Sequence, residues 1–112
     1  MTIQEFITQR AEGAAKIASE AKAKGGLSTL TQLHFEAKAP SYKAAMVLVS
    51  ADKPLAAIIS DLKRLEQIAT NTAVTAASMV VFQQQTGKQE AYGECIQFLE
   101  MGGPGVSVEE AS

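Results

Sequence analysis

Apolar residues recur three and four positions apart for almost the whole length of this chain, the spacing that lines one face of an α-helix. Ile3, Phe6, Ile7, Ala11, Ala14, Ile17, Ala18 and Ala21 keep that spacing over the first stretch. Thr2 and Glu5 stand at the offset of a capping box, in which each side chain satisfies a free backbone N–H of the first turn. Gly25-Gly26 supplies the stop, because glycine enters the left-handed conformation after a helix without steric cost. A first helix over residues 3–24 follows.

Ser28 or Thr29 caps a second helix, with Leu30, Leu33 and Ala37 on its inner side. Pro40 disfavours helical geometry at Ala39, so the reading is two pieces, 28–39 and 41–51. In the second piece Tyr42, Ala45, Met46 and Val49 keep the helical stripe. Pro54 opens the longest element. Leu55, Ile58, Leu62, Leu65, Ala69, Thr72, Ala76, Met79 and Gln83 extend to Gly87. An unbroken helix over 54–86 would span about 50 Å, longer than the roughly 35 Å diameter of a compact domain of this size. Either it breaks near 71–75, where helix propensity is weakest, or it protrudes from the domain and finds a partner. A last helix over 88–101 carries Ala91, Tyr92, Cys95, Phe98 and Leu99, and Gly102-Gly103-Pro104 ends it. The expected fold is all-α: an up-and-down bundle of about four helices. It forms one domain over 1–103, followed by a disordered acidic tail over 104–112.

Composition narrows the function. One hundred and twelve residues make one domain. The longest apolar run is the six residues Ala44–Val49, against about 20 for a membrane span, so no membrane partner is expected. The N-terminus carries Glu5, Arg10 and Glu12 and reads as no signal peptide. The one cysteine, Cys95, allows neither an internal disulfide nor a cysteine-based zinc site, which points to the cytoplasm. No metal and no other cofactor is expected.

Charge is uneven. Residues 1–64 hold nine bases and six acids; residues 65–112 hold one base and six acids. A nucleic-acid binder concentrates its bases on one face, and these are spread, so nucleic acid is disfavoured. The joint Lys24, Gly25, Gly26, Ser28, Thr29 offers a weak anion site, since a helix N-terminus presents free N–H groups. It lacks the spacing of a phosphate-binding loop. Ala21 and Gly25 also have the offset of a DNA-binding helix-turn-helix, but the following helix carries only Lys38 and His34 as bases. His34, the one histidine, has Glu36 two residues on, the wrong spacing to chelate a metal from one turn. Cys95 reads as a small buried hydrophobe rather than a nucleophile. No catalytic residue is expected.

The small residues from Ala69 to Ala76 bury little area per turn, and the chain has only six aromatic residues. A second copy laid along 54–86 would add apolar burial. The expected contact is Leu55, Ile58, Ile59, Leu62, Ala69, Ala73 and Ala76. The function expected is that of a small cytoplasmic interaction or assembly protein, a homodimer that also engages another protein, with no catalysis of its own. The alternatives are a weak DNA-binding regulator using the Gly25-Gly26 joint, or a bundle that binds a small molecule between its helices.

Overall fold

A computed structural model describes residues 1–26 and 28–101. The expected disordered tail, 104–112, lies outside the described residues. Four helices follow one another: α1 (Ile3–Lys24), α2 (Ser28–Val49), α3 (Leu55–Val74) and α4 (Met79–Met101). The described residues contain no strand.

The first helix has the bounds its caps dictate. Thr2 Oγ1 accepts from the Glu5 N–H at 3.1 Å, and Glu5 Oε1 accepts from the Thr2 N–H at 2.8 Å. At the other end Gly25 and Gly26 take φ of +65° and +60°, a region costly for side-chain-bearing residues.

The other three helices depart from the expected boundaries. α2 runs unbroken through Pro40 rather than in two pieces. Proline removes the bond that would reach the Glu36 carbonyl. Pro40 and Glu36 are both exposed, on the side of α2 where a lost backbone bond costs least. The long element does break, at 75–78. Thr75 Oγ1 donates to the Asn71 carbonyl at 3.1 Å, and Ser78 Oγ accepts from the Val81 N–H at 3.2 Å, which starts α4. Residues 80–87 therefore belong to the fourth helix, which begins at Met79 rather than at 88. Gly87 lies buried inside it and ends nothing.

The chain direction alternates, yet the two central helices, α2 and α4, are not neighbours in sequence. α2 and α4 are parallel: His34 meets Thr86 and Glu90, and Lys38 meets Glu90 and Glu94. In a square up-and-down bundle these are the diagonal helices. Here they pack directly, with α1 against α2 on one side and α3 against α4 on the other. A Cβ on Gly87 would come 2.2 Å from the His34 carbonyl oxygen, so only glycine permits this approach. Phe6 of α1 stacks on Phe98 of α4 with ring centroids 4.4 Å apart, and Lys63 of α3 pairs with Glu100 at 2.8 Å. Both contacts run antiparallel to α4.

The core is lopsided. Ile3, Ile7, Tyr42, Val49, Ile58, Leu62, Cys95 and Leu99 fill the half of the bundle where the chain begins. In the opposite half, the buried positions of α1 and α3 are Ala18, Ala21, Ala69 and Ala73. That half contains the α1–α2 joint and the α3–α4 turn. No helix among the described residues is long and apolar enough to cross a membrane.

Candidate functional site

Two features stand out from a plain helical bundle: a ladder of polar side chains between α2 and α4, and an exposed apolar segment without charges around the α3–α4 turn.

The ladder follows from helical spacing on both sides. His34, Lys38 and Tyr42 fall one turn apart on α2; Thr86, Glu90 and Glu94 do the same on α4. The Thr86 hydroxyl donates to the Gln83 carbonyl at 3.0 Å and faces His34 Nδ1 at 3.2 Å. Glu90 Oε1 lies 3.0 Å from His34 Nε2 and 3.1 Å from Lys38 Nζ. Lys38 Nζ also reaches Glu94 Oε2 at 2.9 Å, with its side chain only 11% exposed. The Tyr42 hydroxyl donates to Glu94, and Arg10 of α1 approaches the same carboxylate at 3.9 Å.

Electrostatics within the ladder follow from these contacts. Burial alone would raise the Glu90 pKa, but hydrogen bonds and charge from Lys38 and His34 outweigh it and hold the carboxyl below its ordinary value. Burial, reinforced by the bond to Glu94, pushes the Tyr42 phenol well above the usual tyrosine range, so it serves as a donor. Burial, with the Glu94 charge second, pushes the Cys95 thiol up to about 12. Cys95 lies further along α4 than the Thr86–Glu90 turn that His34 touches. The ladder has the character of a register lock. Lys38 meets two carboxylates only in the observed alignment, and a slip of one turn in either direction would leave it buried with one of them.

The end opposite the main core is different in kind. Val74 is 78% exposed, Met79 56%, Val80 47%, Phe82 41% and Val81 36%, and Ile68, less than two turns before Val74 on α3, is exposed as well. Leu30 at the start of α2 is also exposed. The α2–α4 register places it level with Phe82. From Gln67 to Gly87 there is no Asp, Glu, Lys, Arg or His. Lys22 and Lys24, at the C-terminus of α1, are exposed at this same end. Scattered apolar residues are normal on a protein surface, whereas a contiguous group without charges marks a place of contact.

The sequence-derived candidates distribute as follows. At the α1–α2 joint, the Ser28 N–H donates to the Gly25 carbonyl at 3.1 Å and the Thr29 N–H to Gly26 at 3.0 Å, so two amides an anion would need are already engaged. Lys24 is exposed beside them. Along α3, Ile58, Leu62, Ala69 and Ala73 are buried within the chain's own bundle; Leu55 and Ile59 are partly open, as is Ala76 in the turn that follows. α1 and α2 lie antiparallel along their lengths, whereas a DNA-binding helix-turn-helix crosses at about 90–120°. Lys38, counted among its bases, is inside the ladder. A groove of about 310 Å³ between α1 and α2 is lined by Ile7, Thr8, Ala11, Glu12, Lys43 and Met46.

No group of acidic, histidine or cysteine side chains among the described residues could hold a metal ion. Compared with protein-family models, with curated proteins and with solved structures, the chain matches none.

Proposed function

We propose that this chain is a small helical interaction and assembly protein of the cytoplasm, without catalytic chemistry of its own, and that it works through the uncharged segment around its α3–α4 turn. The observation that carries this reading is the exposure of Val74 and Met79–Phe82 within a stretch that holds no ionisable side chain from Gln67 to Gly87. A folded monomer leaves these side chains in water, and contact with an apolar surface would remove them from it.

Association with a second copy belongs to this reading, with its contact moved. The α3 stripe has Ile58 and Leu62 fully buried in the monomer, so it has little left to offer. The end of the bundle offers whole side chains. DNA binding has less support, because Lys38 is held by two carboxylates.

The test compares the wild-type chain with Val80→Asp and Phe82→Asp. Light scattering at micromolar and higher concentration, together with retention on a phenyl matrix, reads association. Either substitution should reduce it, and Val47→Asp on α2, where the valine is 71% exposed, should not. Association that is equal in all four chains would refute the reading.

A further inference from the structure

The apolar residues at this end do not form a stripe. Met79, Val80, Val81 and Phe82 are consecutive, and successive helical residues turn by about 100°, so together they face nearly every direction around the α4 axis. A partner protein that offers a flat face or a groove covers one side of a helix. Apolar side chains exposed on more than one side of a helix suit a medium that can surround it.

Depth and charge agree with that. Phe82 stands four residues from Ser78 at the turn, about 6 Å along the helix axis, and Ile68 stands six residues from Val74, about 9 Å. Interfacial helices bury their apolar side chains about 5–10 Å into the headgroup and acyl boundary. No carboxylate lies between Gln67 and Gly87 to be desolvated or repelled. Lys22 and Lys24 stand exposed at the same end and form no ion pair among the described residues. Glu20 is the nearest acid on that turn of α1. Crossing a bilayer and seating a tip in its surface are different demands, and only the first needs a long apolar helix.

We propose that the α3–α4 end of the bundle docks on an anionic lipid surface: the α3–α4 turn with Val74 and Met79–Phe82 seats among the headgroups, and Lys22 and Lys24 meet lipid phosphates. This names the partner of the surface described under the proposed function and rests on that reading. Each lysine near such a surface contributes modestly and in a salt-dependent way, so the apolar tip carries most of the affinity.

The experiment is co-sedimentation of the full chain with phosphatidylcholine vesicles, with and without about a third of phosphatidylglycerol. The wild-type chain should bind the anionic vesicles. Phe82→Asp or Val80→Asp should lower partitioning about tenfold to a hundredfold, the range for losing one buried large apolar side chain. Lys22→Glu with Lys24→Glu should weaken binding to anionic vesicles and leave binding to neutral ones unchanged. Val47→Asp should bind as the wild type does. Circular dichroism of each variant checks that the helices persist, and Phe82→Ala, which adds no charge, must still bind less. A wild-type chain that ignores both vesicles but forms a dimer dissolved by Phe82→Asp overturns the lipid proposal and leaves the end as an interaction surface. A chain that ignores vesicles and whose self-association is indifferent to Phe82 overturns both.

Discussion

Gly87 lies against the backbone of His34 so closely that a Cβ on it would come 2.2 Å from the His34 carbonyl oxygen. The obstacle is backbone, which cannot swing aside. Gly87→Ala should therefore force α2 and α4 apart and cost about 1–3 kcal/mol or more in urea unfolding. Gly93→Ala is the control. Its Cβ would meet only the end of the Glu66 side chain, at 2.8 Å, which can rotate away. Relief of glycine's poor helix propensity should leave that variant neutral or more stable by up to about 1 kcal/mol. Equal losses in both would show that the close approach is not what Gly87 provides.

This glycine also shows where sequence reading ends. A glycine at a helix stop and a glycine at a helix crossing have the same local signature; only the partner backbone tells them apart. The first helix was fully legible because both its caps are local. Pro40 misleads because its cost depends on whether the orphaned Glu36 carbonyl meets water, and that is a property of the assembled bundle. Each side of the polar ladder is legible as a one-turn spacing, His34–Lys38–Tyr42 and Thr86–Glu90–Glu94. Their pairing is not, because they lie on helices that are not consecutive. The absence of charge from Gln67 to Gly87 is plain in the sequence, and it is the signal that could have located the apolar end.

Lys38 joins two carboxylates at 3.1 and 2.9 Å with its own side chain largely buried. Lys38→Met should destabilise the fold by about 1–3 kcal/mol, since Glu90 and Glu94 lose their shared cation. Adding Glu94→Gln should recover part of that loss, because the two positions are coupled. Strict additivity in a double-mutant cycle would contradict the contact.

Glu90 gives the ladder a pH dependence of defined sign. Its folded-state pKa lies below the ordinary value because the hydrogen bonds and charge of Lys38 and His34 outweigh its partial desolvation. Its contribution is therefore fully present above the unfolded-state pKa and is lost as pH falls through the lower, folded-state value. The urea midpoint of the wild type should drop between about pH 5 and pH 3 by more than that of Glu90→Gln. Identical drops would remove Glu90 as a source.

The Cys95 thiol is fully buried, and burial with the nearby Glu94 charge pushes its pKa up to about 12. A thiol-reactive dye at mildly alkaline pH should leave the native chain unmodified and react fully once denaturant unfolds it. Rapid reaction with the native chain would contradict this burial.

Residues 91–99 of α4 pack into the main core, while residues 79–82 of the same helix are exposed. Amide hydrogen exchange should therefore slow along α4 from Met79 toward Leu99. Uniform protection would mean that the uncharged end is covered in solution.

Amide NMR shifts of the full chain, recorded with and without anionic lipid bicelles and between dilute and concentrated solution, test the central claim residue by residue. The account predicts perturbations gathered at residues 68–86, at Leu30 and at Lys22 and Lys24, with Leu55, Ile59 and the far half of the bundle unmoved. Perturbations centred on Leu55 and Ile59, or spread without regard to the uncharged end, would contradict it.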